Sequence, residues 1–355
     1  MKVLVLELED IFLRFVGAIG EAEYFFCNPI DQRRVTELLD VVDWVISLSY
    51  EDVCINDVIC LAKSKKVNTV LLVDGVLEWS NTYQNPRNRG VLYQPIIHDY
   101  VGCCMPDQVP RIKKWNPSAE VFLYRNYRLA PDCVKRSVHE ERYDFLITTA
   151  VTPYFNDDEQ KRLTDSLNTI IRIIEEERYS YCLRIFDEKL LSSLEFNHGI
   201  NIKSSPFQTL LSEVKCVIST PSSICVEAMS AGKPTAQIMY RDSPLFFQTG
   251  WLILGQCTLT NTFGDMMNRN KDRMLFQNEE VQFLNEAPDL ECVLVRGNIA
   301  IFPKLSQREV LYPSPYDKLI ENYERMLRSP WNLNPLFFLY RIKAALQKIK
   351  WKYYG

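Results

Sequence analysis

Residues 215–235 read KCVISTPSSICVEAMSAGKPT. An apolar strand, Cys216 to Ile218, runs into Ser219-Thr220-Pro221-Ser222-Ser223, and a helix is expected to open at once with Glu227 in its early turns. Gly232 stops that helix and Pro234 leads into the next strand. Pro221 is expected at the helix start, where its missing N–H would be unpaired anyway. The neighbouring serines and threonine are expected to cap the remaining orphan donors. The product is a hydroxyl-rich, positively polarised helix start at the carboxyl end of a strand, which stabilises a phosphate without a dedicated lysine. The same residues also make an ordinary βα turn, so the reading depends on what surrounds them.

Upstream and downstream, the pattern is that of an α/β unit. YDFLITTA (143–150) reads as a strand, NDDEQKRLTDSLNTIIRIIEEE (156–177) as a long amphipathic helix capped by Asn156, and YSYCLRIF (179–186) as a strand. NIKSS (201–205) is a short strand, PFQTLLSEV (206–214) a helix and TAQIM (235–239) a further strand. The first half repeats the alternation: strands at KVLVLEL, YFFCN, WVISLS and TVLLVDG, with helices at Ile11–Ile19, DQRRVTELLDVV and EDVCINDVICLAKSKK. Further strands are expected at Pro95–Cys103 and Glu120–Tyr124. Strands alternating with helices of this size imply parallel sheets with helices on both faces. The polar stretch Pro131 to Arg142 reads as a linker. The expected organisation is two Rossmann-like domains, 1–140 and 141–325, facing across a cleft at their strand carboxyl ends, with a tail at 326–355.

A chain of 355 residues has room for two domains of about 150 residues each. With 47% hydrophobic and 24% charged residues it can bury a sizeable core. A net charge of −4 argues against nucleic acid as a partner. The 11 cysteines are scattered singly, Cys103-Cys104 apart, with no zinc spacing, which points to reduced thiols in the cytosol. Only three histidines (His98, His139, His198) are present, which argues against a histidine-based metal site. MKVLVLELED lacks the pattern of a signal peptide, and no run reaches the ~18 apolar residues of a membrane span. The tail differs: no acid follows Glu324, and Arg341, Lys343, Lys348, Lys350 and Lys352 interleave with Phe337, Phe338, Tyr340, Ile342, Leu346, Ile349 and Trp351. A basic amphipathic helix of this kind suits an anionic membrane surface, or packs back on the first domain. The expected location is the cytoplasm, peripheral at the inner face of the cytoplasmic membrane.

Two Rossmann-like domains with a Ser/Thr-Pro-Ser-Ser helix start and Glu227 resemble the GT-B glycosyltransferases. A second motif, Val73-Asp74-Gly75, ends the fourth strand. Asp74-Gly75 and Ser222-Ser223 resemble the acid-Gly and Ser-Ser motifs of CMP-sugar-dependent bacterial transferases. VDGVLEWSNTYQNPRNRG (73–90), LYQP (92–95) and TTAVTPYF (148–155) are similar to the retaining β-Kdo transferases of surface-polysaccharide assembly. Two departures stand out. Val73 replaces the first acid, and no histidine precedes a proline, so the family's His-Pro motif is absent. Arg184, near where that motif would fall, is the candidate replacement cation.

The resemblance implies a nucleotide-sugar donor held by Ser219, Thr220, Pro221, Ser222, Ser223, Arg184 and Lys203, with Glu227 on the ribose hydroxyls. Asp74 is the expected catalytic carboxylate, either a base giving inversion or, as the resemblance favours, a nucleophile giving retention. Glu78 is its candidate partner acid. Gly75, Asn81, Arg87, Thr149 and Thr152 are candidates for sugar and acceptor contacts. An Asp-Gly turn that merely closes a strand is the structural alternative at 74–75. No DxD stands at a strand end, since Asp157-Asp158-Glu159 begins a helix, so neither a metal nor another cofactor is expected. The leading function is transfer of Kdo from CMP-β-Kdo to a lipid-linked surface glycan, O-antigen or capsule. Alternatives are a GT-B enzyme using CMP-sialic acid or a nucleoside-diphosphate sugar, a non-hydrolysing sugar-nucleotide epimerase, and a non-catalytic glycan-assembly subunit.

Overall fold

The computed structural model describes residues 1–17, 20–86, 92–129, 141–196, 200–255 and 259–296. Most of the expected linker and all of the basic tail lie outside the described residues. The chain forms two compact units. Met1–Asp74, Tyr93–Asn126 and the described part of the segment from Ala287 make the first; Gly75–Leu92 and Tyr127–Glu286 make the second. Gly75–Leu92, inside the expected 1–140 span, thus clusters with the second unit.

In the first unit, β1 (Lys2–Val5), α1 (Glu9–Val16), β2 (Glu23–Phe26), α2 (Gln32–Leu39), β3 (Trp44–Ser47), α3 (Val53–Ser64) and β4 (Asn68–Leu72) follow the sequence pattern closely. The α1 helix was expected to reach Ile19 but stops at Val16, where Gly17 takes φ 75°. Asp52 caps α3 through the N–H groups of Cys54 and Ile55. Ile55, Val58, Ile59 and Ala62 then lie on one helical stripe and pack with Leu4, Val35 and Val45. After β4 the short α4 (Trp79–Tyr83) belongs to the second unit, and β5 (Tyr100–Cys103), α5 (Gln108–Trp115) and β6 (Glu120–Leu123) complete the first sheet. The strand expected from Pro95 begins only at Tyr100. Side chains, not a ladder, hold the preceding residues: Asn116 Oδ1 accepts from the Ile96 N–H at 2.9 Å, and Asp99 Oδ2 accepts from Thr69. The α5 helix falls between two expected strands, where no element was assigned from the sequence; its Pro110 stands in the first turn, where proline is tolerated.

The second unit runs β7 (Tyr143–Thr148), α6 (Asp157–Glu176), β8 (Tyr181–Arg184), α7 (Glu188–Ser192), β9 (Ile200–Asn201), α8 (Phe207–Ser212), β10 (Val214–Ser219), α9 (Ser223–Ser230) and β11 (Thr235–Ile238). Then follow β12 (Trp251–Ile253), α10 (Leu259–Met267), α11 (Lys271–Val281) and α12 (Phe283–Glu286); α13 (Leu290–Arg296) belongs to the first unit. There Glu291 accepts from the N–H groups of Gly20 and Ala22. Asn156 caps α6 by accepting from the Glu159 N–H at 2.8 Å. Leu163, Leu167, Ile170 and Ile174 lie fully buried along one side of α6, against Phe145, Ile147 and Ile218 of the sheet. Each such side chain contributes about 1.5–3 kcal/mol.

Both sheets have six strands, and every pairing is parallel. The first has the order β2-β1-β3-β4-β5-β6 and the second β12-β11-β10-β7-β8-β9. Strand order reverses between β1 and β3 in one and between β7 and β10 in the other, the places where open α/β sheets bind ligands. No helix among the described residues is long and apolar enough to cross a membrane.

Candidate functional site

The reversal point of the second sheet is polar where a doubly covered parallel sheet is normally apolar. Arg184, Thr148, Ser219 and Gln237 stand in register across β8, β7, β10 and β11. Thr148, Ser219 and Gln237 are fully buried. The Thr148 hydroxyl donates to the Arg184 carbonyl at 2.9 Å and Ser219 to the Thr220 carbonyl at 2.9 Å, while the Gln237 amide has no partner. One residue further on, the Thr220 Oγ1 accepts from the Ala150 N–H at 2.8 Å, tying the two loops together. Between those bonds Thr149 is 1% exposed, and its hydroxyl is unpaired.

The helix that starts there differs in detail from the expectation. Pro221 is not its first residue: Ser222, in extended conformation (φ −168°, ψ 168°), is the N-cap and α9 begins at Ser223. Nor do the hydroxyls cap it. Thr220 is engaged with Ala150, Ser223 Oγ accepts from the Val76 N–H at 3.1 Å, and Ser222 Oγ is buried with no partner. An N-terminus without side-chain caps keeps its positive end for a ligand. Gly75 is required by close approach: a Cβ there would lie 2.6 Å from Ser223 Oγ and 3.3 Å from an Arg128 guanidinium nitrogen. At the other end Gly232, at φ 69°, closes α9 through its N–H to the Met229 carbonyl.

Glu227, one turn into α9, is 7% exposed. Its carboxylate lies 3.5 Å from Arg128 Nε and accepts from Gln208 Nε2 at 3.2 Å. Burial pushes its pKa up to about 7, against the opposing pull of Arg128 and Arg184. The Arg184 guanidinium stacks over Phe186 at 4.7 Å and Phe207 at 5.6 Å. Its Nε is buried without a partner, and burial lowers its pKa. Arg128 and Gln208 escaped sequence reasoning. The arginine-rich RNYR after β6 was a signal for the first, whereas Gln208 gave none. Lys203 instead pairs with Glu188.

Glu78 serves as the N-cap of α4, accepting from the Asn81 N–H at 2.6 Å. It also lies 3.6 Å from Arg241, which donates to Glu159 at 3.1 Å and to the Pro153 carbonyl at 2.6 Å, between the rings of Phe155 and Tyr240. This buried ion triad holds the Glu78 carboxylate in place. Asn81 Oδ1 accepts from Asn85, and Trp79 packs on Tyr83 and Phe246. Thr152 is half-buried in the loop after β7. Arg87 lies outside the described residues.

In the first unit, Asp74 is exposed just beyond β4. Its Oδ1 accepts from the Tyr93 hydroxyl at 2.9 Å, and the Tyr50 ring lies 4.8 Å from that of Tyr93. His98 is structural: its Nε2 meets Ser47 Oγ at 2.9 Å, and burial lowers its pKa to about 3.

No family model matches the chain, and no curated protein matches it in sequence. The fold does match solved structures. UDP-GlcNAc 2-epimerase from Neisseria meningitidis, bound to UDP-GlcNAc, has a TM-score of 0.51 at 14% identity, over 84% of this chain and 99% of that one. A Listeria monocytogenes structure assigned as a UDP-N-acetylglucosamine 2-epimerase has 0.56 at 11%, over 85% and 97%. Another UDP-N-acetylglucosamine 2-epimerase has 0.53 at 14%, over 85% and 97%. The chain therefore has the α/β fold of two Rossmann-like domains, the GT-B type.

Proposed function

We propose that this protein is a nucleotide-sugar-dependent glycosyltransferase. The second unit takes the nucleotide at the start of α9, and Asp74 acts on the anomeric carbon. One observation carries the reading: at the reversal point of the second sheet, α9 begins uncapped beside the unpaired Ser222 hydroxyl. Negative charge develops on the departing phosphate, and such a helix end with its local cations stabilises that charge. Arg128 and Arg184 supply the cations; Thr149 adds a hydroxyl, and Glu227 accepts from ribose hydroxyls. The Neisseria neighbour's bound UDP-GlcNAc accords with a nucleotide sugar as ligand.

The donor we propose is CMP-β-Kdo, on the pairing of Asp74-Gly75 with Ser222-Ser223, and the acceptor a hydroxyl of a lipid-linked surface glycan. Asp74 acts as the nucleophile, its displaced CMP leaving from the α9 start, and the acceptor then displaces Asp74 with net retention. Glu78, which caps α4 and pairs with Arg241, supports the segment that follows Asp74. The basic tail holds the enzyme at the cytoplasmic face of the membrane.

The test is turnover of a donor panel (CMP-Kdo, CMP-sialic acid, UDP-GlcNAc, a GDP-sugar and a TDP-sugar) by the full chain with and without acceptor. Release of CMP with Kdo attached to the acceptor is expected. Turnover restricted to a diphosphate donor would overturn the CMP-Kdo assignment, and no turnover of any donor would overturn the transferase reading. Sugar-nucleotide 2-epimerisation is the second reading, favoured by the three fold matches. It would show as a changed sugar configuration with the nucleotide still attached.

A further inference from the structure

Resting on that reading, we infer that Tyr93 is a positioning residue that selects which oxygen of Asp74 attacks and eases the departure of that carboxylate in the second displacement. The phenol is buried except where its hydroxyl reaches the exposed Asp74, donating to Oδ1 at 2.9 Å. Oδ2 makes no hydrogen bond among the described residues, so it is the oxygen left to react. Tyr93 is held there against a conformational preference: its φ of 60° lies in the left-handed region, which bulky residues avoid. The buried Asn116 over-determines that geometry. Its Nδ2 donates to the Tyr93 carbonyl at 2.9 Å and to the Ile112 carbonyl at 3.1 Å, and its Oδ1 accepts from the Ile96 N–H. The Tyr50 ring closes the other side at 4.8 Å. Strain maintained by a dedicated amide clamp, for one hydroxyl on one carboxylate, marks a functional position. Burial and the Asp74 charge raise the Tyr93 pKa well above that of a free phenol, so the donor keeps its proton.

The chemistry gives the two steps different sensitivities. In the first, Oδ2 bonds to the anomeric carbon as the carbon–oxygen bond to phosphate breaks, and the electron pair leaves with the nucleoside monophosphate. In the ester so formed, Oδ1 is a carbonyl oxygen. In the second, the acceptor oxygen bonds to the anomeric carbon and releases its proton to solvent. The bond to Oδ2 breaks, and its electron pair spreads over both carboxylate oxygens. The Tyr93 hydrogen bond strengthens as charge returns to Oδ1, so it assists the second step more than the first.

The experiment compares the wild-type full chain with Tyr93→Phe, following steady-state turnover of CMP-Kdo with acceptor and the sugar adduct by intact-protein mass spectrometry. The ring stays, so the melting temperature and donor KM are expected to hold. Loss of the donor is expected to lower kcat roughly 10- to 100-fold. The adduct on Asp74, transient in the wild type, is expected to accumulate. A second protein with difluorotyrosine at position 93, a stronger donor of similar shape, is expected to clear the adduct faster than wild type. If wild type turns over while both replacements match it in kcat and adduct level, the role of Tyr93 is refuted and the transferase reading stands. If wild type releases nucleotide from no donor, the transferase reading fails and this inference falls with it.

Discussion

Replacing Glu227 by Gln is expected to change how stability depends on pH, because this acid is buried in the folded chain and solvated in the unfolded one. Its pKa rises from 4.5 to about 7 on folding. Between those values the native state binds the proton that the unfolded state has released. Stability is therefore free of this penalty below pH 4.5, declines as pH rises through the window, and carries the full cost above about 7. A shift of that size, at about 1.4 kcal/mol per pH unit, amounts to roughly 3 kcal/mol. The glutamine cannot ionise, so the variant lacks this slope. The Arg128 attraction is already contained in that shift, because it acts only on the ionised acid. Urea unfolding of both proteins from pH 4.5 to 8 at fixed ionic strength, followed by the fluorescence of the buried Trp251, measures the difference. The advantage of wild type over the variant should shrink by roughly 3 kcal/mol across the range. Curves that stay parallel to within about 0.5 kcal/mol would show that Glu227 ionises alike in both states, and the account of a desolvated acid beneath the helix start would be wrong.

Other substitutions probe the same assembly. Gly75→Ala drives a methyl to 2.6 Å from Ser223 Oγ and should cost about 1–3 kcal/mol of stability, of which adding Ser223→Ala recovers a part. A double-mutant cycle with no coupling would contradict the close approach. Ser222→Ala removes a buried, unpaired hydroxyl, so thermal stability should hold or rise slightly while calorimetric affinity for the nucleotide falls about tenfold. Loss of stability with unchanged affinity would assign Ser222 to folding instead. Arg241→Met leaves Glu78 and Glu159 buried without their cation and should destabilise by about 3–5 kcal/mol in denaturant titrations. An unchanged midpoint would mean that the triad is solvated.

Much of the fold was legible because it is written in local periodicity. The apolar stripe of α3, the Asn156 cap of α6 and the run CVIS before the serines each depend on residues close in the chain. The errors came where a side chain from elsewhere took over the backbone's bonds. Asn116 and Asp99 hold the 95–99 segment outside the ladder. The site divides in the same way. The hydroxyl cluster at 219–223 and the acid at 227 were visible as a pattern, but the job of each hydroxyl was not. Thr220 binds Ala150, Ser223 binds Val76, and only Ser222 is left unpaired.

By itself the sequence determined most of the strands and longer helices up to β11, their parallel class, the hydroxyl-rich start of α9 and the presence of Asp74-Gly75 at a strand end. Only the tertiary structure decided the strand orders, and with them the buried row of Thr148, Ser219 and Gln237 at the reversal point. It also decided that Arg128 and Gln208 would meet Glu227 and that Tyr93 would hold Asp74. The reason is physical. Periodicity and capping are short-range preferences encoded within a few residues, whereas burial and pairing are set by residues distant in the chain. A group's charge state and unused hydrogen bonds exist only once those neighbours have arrived.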